Sequence, residues 1–222
     1  MEDMRFTTGL PRLDDMLGGG VASGAVTLVY GEEKSGKTSL VLRICALATR
    51  KSSSAYVDCS GRLHPVRLTQ ILEANRADTA KLYLLSVDSF QRQEDVILSL
   101  YDLTPPAPLI VFDDFTALHR LELTGNVKED MSIYKRLAFQ IAALKEAAME
   151  KDLAIIIVGQ VHAIPDSGDS RVVAQRILGH WSDYVLRLER KPGKEVGRIF
   201  VEKPERRGFV SFRISGAGVV PE

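Results

Sequence analysis

Apolar positions along the chain fall into two kinds of run. Short, continuous stretches rich in β-branched residues and bounded by glycine, proline or polar groups read as strands buried on both faces. These are Ala25–Tyr30 (AVTLVY), Ser54–Asp58 (SAYVD), Lys81–Val87 (KLYLLSV), Leu109–Asp113 (LIVFD) and Leu153–Gly159 (LAIIIVG). Between them the spacing becomes helical: after Lys37, residues Leu40, Val41, Ile44, Leu47 and Ala48 share one face at a period of 3.6. Pro65–Ala74 carries its proline in a first helical turn. Gln91–Leu103 is a further helix, and Met131–Lys151 is the longest, with Ile133, Leu137, Ile141, Leu144 and Ala148 along one stripe. After Gly159 three strand-like runs follow, Asp183–Leu188, Gly197–Glu202 and Gly208–Ile214, separated by the turn signals Pro192-Gly193 and Arg207-Gly208. The order predicts an α/β fold: a central, mostly parallel sheet flanked by helices, extended by C-terminal antiparallel strands. We read residues 1–222 as one domain.

Chemistry enters at the first strand–helix junction. Gly31-Glu32-Glu33-Lys34-Ser35-Gly36-Lys37-Thr38 matches G-x-x-x-x-G-K-[ST] after a buried strand and at the opening of a helix. Backbone N–H groups and the helix dipole converge there into an anion site, Lys37 is placed for the β- and γ-phosphates, and Thr38 for Mg²⁺, with Ser39 next in line. Lys34 stands where such loops often have glycine, and Glu32 and Glu33 are compatible with an anion only if their side chains face solvent. The metal side of a P-loop site needs an acid at the C-terminal end of a central strand, and Asp113 fits after four apolar residues. Gln160 follows the strand ending at Gly159, where it reads either as a γ-phosphate sensor or as an ordinary loop residue.

Composition narrows the setting. With 45% hydrophobic and 26% charged residues the chain is of ordinary globular type, and disordered or collagenous classes are excluded. Its longest apolar run, Leu153–Val158, is far short of the ~20 residues of a membrane span. The N-terminus has no apolar signal region, and two cysteines, Cys45 and Cys59, suit free thiols in a reducing compartment, so a cytoplasmic location is expected. The four histidines and two cysteines show no metal-ligand spacing. Net charge is zero, which gives no bulk case for nucleic acid, yet Arg171–Arg213 holds eleven Lys/Arg against five Asp/Glu and is therefore at +6.

These pieces resemble the RecA/RadA recombinase family, and within it the short archaeal paralogues that consist of the ATPase core without an N-terminal domain. The residues that carry the resemblance are Thr7-Thr-Gly9-Leu-Pro-Arg-Leu13-Asp14-Asp-Met-Leu17-Gly18-Gly-Gly20 ahead of the loop, Ala55-Tyr-Val-Asp58, Pro65-Val-Arg67-Leu68, Phe112-Asp113 and Gly159-Gln160-Val161-His162. Ile177–Leu188 and Gly208–Ile214 add to it. The resemblance implies a RecA-like P-loop fold with ATP and Mg²⁺ as cofactors: Lys37 and Thr38 bind phosphate and metal, Asp113 supports the metal, Gln160 senses the γ-phosphate and Arg67 stacks on adenine. It also implies that His119–Met131 and Val161–Val173 match two DNA-binding loops. Arg120, Lys128 and Arg171 within them are candidate phosphate-backbone contacts, or else plain surface charges.

Two departures from the family pattern matter. Where these ATPases carry a water-activating glutamate after the strand Ala55–Asp58, this chain has Ser60, whose hydroxyl is a poor proton acceptor. Hydrolysis is therefore expected to be weak or lost unless Asp114, directly after Asp113, substitutes. The chain also begins essentially at the ATPase core, without the family's linker that joins subunits, so no long self-filament is expected. Two readings follow. One is an accessory recombination and repair protein that binds ATP and single-stranded DNA and assists a full-length RadA-type recombinase or a junction-processing enzyme. The other is a KaiC-like, ring-forming regulatory ATPase without a DNA role. Neither involves a membrane.

Overall fold

The computed structural model describes residues 4–102, 107–160, 170–190, 193–205 and 208–222. A small hairpin comes first, built from β1 (Arg5–Phe6) and β2 (Val21–Ala22) around the short helix α1 (Pro11–Met16). The main elements then alternate: β3 (Ala25–Gly31), α2 (Lys37–Ala48), β4 (Ser54–Asp58), α3 (Pro65–Ala74), β5 (Leu82–Ser86), α4 (Phe90–Asp102), β6 (Leu109–Asp113), α5 (Ala117–Glu122), α6 (Val127–Lys151), β7 (Ala154–Gln160) and α7 (Ser170–Trp181). Four strands close the chain: β8 (Tyr184–Glu189), β9 (Val196–Lys203), β10 (Phe209–Ser215) and β11 (Gly218–Pro221).

Nine strands form one sheet in the order β11-β10-β9-β8-β3-β7-β6-β4-β5. The stretch from β8 to β5 is parallel, and β8 to β11 is antiparallel. Along β7 the side chains alternate between two cores. Ile156 and Val158 join Leu40, Ile44 and Ile71 on the α2–α3 face, whereas Ile155 and Ile157 join Phe112, Leu137, Ile141 and Leu144 on the α6 face. Central strands covered on both faces have no polar side to show, which is why their sequences read as unbroken apolar runs.

The Thr-Gly…Leu-Asp lead-in turns out to be a clasp. Asp14 on α1 accepts hydrogen bonds from Thr7 Oγ1 at 2.5 Å, Thr8 N at 2.8 Å and Thr8 Oγ1 at 2.6 Å, and so fixes the turn that enters the helix. Gly20 lies at φ 120°, and a Cβ there would sit 2.3 Å from the Phe6 carbonyl oxygen, so the hairpin closes only over glycine.

Several expectations are corrected. The first DNA-binding loop, expected over His119–Met131, is largely helical: α5 runs to Glu122 and α6 begins at Val127, one turn before the expected Met131. The cause is polar capping that an apolar pattern does not register. Asn126 accepts from Lys128 N at 3.1 Å, and Asp130 receives Thr124 N, Thr124 Oγ1 and Gly125 N. In the second expected loop, Val161–Val173, residues 161–169 lie outside the described residues and Ser170 onward belongs to α7, whose Ala174 and Leu178 are buried one turn apart. The run Asp183–Leu188, expected within an antiparallel set, is also a parallel partner of β3, and β11 adds a fourth strand to the meander.

Candidate functional site

Parallel register brings the chemistry to one edge. Gly31 lies opposite Gln160, and Asp58 opposite Asp113, so the C-terminal ends of β3, β7, β4 and β6 open together into a cavity of about 550 Å³. Its lining includes Lys37, Thr38, Ser39, Ser60, Asp113, Asp114 and Gln160. Strand C-termini at such a point are where doubly wound sheets hold ligands.

The phosphate loop is built by close approach. A Cβ at Gly31 would fall 2.2 Å from the Leu188 carbonyl oxygen of β8, so only glycine lets the loop leave the sheet there. Gly36 caps α2 in the left-handed region at φ 108°, and Lys34 adopts φ 61°, at the position where glycine is common. Glu32 and Glu33 are exposed, as an anion site requires, and Glu33 pairs with Arg62 at 3.5 Å. Ser35 is fully buried, and its hydroxyl has no partner among the described residues. The Lys37 ammonium donates to the carbonyls of Gly31 at 2.8 Å and Glu32 at 2.7 Å, which draws it across the loop. Burial pushes its pKa down, while Asp114, Asp113 and Glu33 oppose that shift. On α3, Arg67 donates to Ser39 Oγ at 3.2 Å and so stands over the start of α2.

Asp113 is almost wholly buried. Burial raises its pKa to about 6, against hydrogen bonds from Thr38 and Tyr56 and the Lys37 charge, which favour the carboxylate. The Tyr56 hydroxyl donates to Asp113 Oδ2 at 2.8 Å, and burial followed by the Asp113 charge pushes that phenol well up, so it stays a donor. Asp113, Thr38 and Lys37 thus form a compact set of one carboxylate, one hydroxyl and one ammonium. That donor set, with the glycine-shaped loop, fits a triphosphate and its Mg²⁺.

The remaining residues divide. Ser60 lines the cavity, but its hydroxyl donates to Asp58 Oδ1 at 3.0 Å, and Asp58 in turn receives the N–H groups of Ser60, Gly61 and Leu63. Asp114 is equally engaged: Thr116 N and Oγ1 bond one oxygen, and Arg120 bonds the other at 2.9 Å. Arg120 therefore faces the same cavity from α5. Lys128 is exposed in the first turn of α6, and Arg171 lies in α7. Two contacts were not legible beforehand. Tyr56 reaches Asp113 through strand register, and Arg190, at the end of β8, donates to the Lys34 carbonyl at 2.9 Å across 156 residues. Neither leaves a local signal in the sequence.

The family model described as Rad51 matches residues 1–219. A protein of Pyrococcus furiosus named "DNA repair and recombination protein RadB" is 33% identical over 224 residues, covering 96% of this chain and 94% of that protein. The protein of the same name from Archaeoglobus fulgidus is 30% identical over 224 residues and covers the whole of both chains. A solved structure described as "Crystal structure of the RadB recombinase" superposes with a TM-score of 0.78 at 29% identity, covering 98% of this chain and 99% of that one. The chain belongs to the Rad51 family.

Proposed function

We propose that the protein is a RecA-like ATPase core that binds ATP with Mg²⁺, turns it over weakly or not at all, binds single-stranded DNA, and assists recombination and repair beside a full-length RadA-type recombinase or a junction-processing enzyme in the cytoplasm. One observation carries the nucleotide part: Lys37, Thr38 and Asp113 meet in one cavity, while the place of a water-activating carboxylate is taken by Ser60, tied to Asp58. The names of the relatives support the recombination and repair part over a ring-forming regulatory ATPase.

In this reading the loop N–H groups and Lys37 would hold the β- and γ-phosphates, Arg67 would cover the base, and Thr38 and Asp113 would hold the metal. Bound Mg²⁺ neutralises charge on the phosphate oxygens. Gln160, opposite Gly31 in the register, is placed to report the γ-phosphate to the residues that follow it. Asp114 is a weak substitute base, because Thr116 and Arg120 already occupy both of its oxygens.

The test is steady-state phosphate release with and without single-stranded DNA, with Lys37→Ala as background. We expect ATP binding that Lys37→Ala removes, with release close to background in both conditions. Robust DNA-stimulated turnover would overturn the reading of Ser60.

A further inference from the structure

The solvent face of the C-terminal meander carries an arrangement that the nucleotide site does not use. Register sets Arg187 of β8 opposite Phe200 of β9, and Phe200 opposite Phe209 of β10. Three adjacent strands thereby align a guanidinium and two aromatic rings in one row. Arg187 lies 4.3 Å over the Phe200 ring, the two rings are 5.5 Å apart, and Arg198 lies 4.7 Å over Phe209. The alternate residues Ile199, Val201, Val210 and Phe212 point into the core, so the row stands on the opposite face.

Core packing does not account for this row. Phe209 is 44% exposed and Phe200 is only half-buried. The Arg187 charge is balanced by Glu189 and Glu202, which makes it a brace for Phe200. Arg198, which register sets opposite Glu189, and Arg213, on the same face, make no ion pair within 4 Å among the described residues, and they lie in the segment that carries +6. Partly exposed rings, each with a guanidinium over one face and beside cations that make no ion pair, suit unstacked bases joined by phosphates, because every base has a face to stack and every phosphate a charge to pair.

We propose that the row Arg187–Phe200–Phe209–Arg198 is a base-stacking platform for single-stranded DNA. The proposal rests on the DNA-binding reading above and gives it a location outside the two loops. Stacking supplies sequence-tolerant affinity through Phe209 and Phe200, and Arg198 and Arg213 follow the backbone.

The test compares a labelled oligo(dT) with an abasic strand of equal length by fluorescence anisotropy. Wild type, Phe209→Ala, Phe209→Trp and Arg198→Ala are measured, with a thermal melt to check folding. Wild type is expected to prefer oligo(dT). Phe209→Ala loses about tenfold on oligo(dT) and nothing on the abasic strand, whereas Phe209→Trp keeps the preference. Arg198→Ala weakens both strands and reduces the slope of log K against log salt by about 0.7. A folded Phe209→Ala protein with an unchanged preference for oligo(dT) overturns the platform alone, and a wild type that binds neither strand overturns the DNA reading with it. Unchanged DNA binding together with altered self-association in Phe209→Ala, measured by sedimentation, would assign the row to a protein contact and reject the proposal.

Discussion

The Ser60 hydroxyl donates to Asp58, and the carboxylate that receives it is already bridged by three backbone N–H groups. Ser60 therefore belongs to the turn that Asp58 organises, and it has neither the basicity nor the reach for a proton relay. Ser60→Glu would leave those backbone donors in place, give up one side-chain contact, and set a carboxylate into the cavity that holds Asp113. A positioned general base contributes about 10²–10⁴-fold. We expect Ser60→Glu to raise phosphate release at saturating ATP about a hundredfold over wild type, and no rise would show that some other group limits the reaction. The serine is visible in the sequence as a substitution. Its attachment to Asp58 is not, because Asp58 could equally have faced the metal.

Helix α5 shows how a short element escapes an apolar pattern and still shapes the site. It has six residues, too few for a 3.6 period to stand out, and its start is fixed by the Asp114–Thr116 turn. Its His119 is fully buried between Phe90 at 5.7 Å and Tyr134 at 5.1 Å, and neither ring nitrogen has a hydrogen-bond partner among the described residues. Burial, and then the neighbouring Arg120 charge, lower its pKa to about 4. The folded protein thus holds this ring neutral, while the unfolded chain takes up a proton near pH 6.5. Stability from this group is complete above about pH 6.5 and declines as pH falls toward 4, by about 2 kcal/mol at pH 5. His119→Leu should remove that share of the acid sensitivity, measured as the difference in urea midpoint between pH 7.5 and pH 5; an equal difference in the variant would rule the histidine out. The long elements behaved otherwise. Continuous apolar runs gave away β3, β6 and β7, because a strand buried on both faces has no other composition available. Strand direction was legible where a helix or a turn signal separated the runs, as in the antiparallel β8, β9 and β10; the parallel contact of β8 with β3 was not, because one run of residues cannot encode both neighbours. The turn that enters α5 and the capped start of α6 depend on Asp114, Asn126 and Asp130, whose polar side chains read as loop until their partners are known.

At the scale of the molecule, the nine-stranded sheet acts as a frame for a single loop. The loop leaves β3 beneath the Leu188 carbonyl, is crossed by Lys37, and is held from outside by Arg190 at its Lys34 carbonyl. The restraints from Leu188 and Arg190 come from β8 and its end, far in sequence from the loop that β3 and α2 flank, so the loop takes this shape only in the folded chain. A ligand that binds the native state and not the unfolded one stabilises by RT ln(1 + [L]/Kd), about 2.7 kcal/mol at a hundredfold excess over Kd. For a chain of this size each kcal/mol moves the melting temperature by about 2–4 °C. Saturating ATP with Mg²⁺ should then raise Tm by about 5–10 °C in wild type and leave Lys37→Ala unchanged, in a scan fast enough to outrun slow hydrolysis. If Thr38 and Asp113 hold the metal as proposed, chelating it should reduce the shift. A wild-type Tm indifferent to ATP at millimolar concentration would mean that Lys37, held by the Gly31 and Glu32 carbonyls, is a structural tie of the loop, and the nucleotide reading would be abandoned.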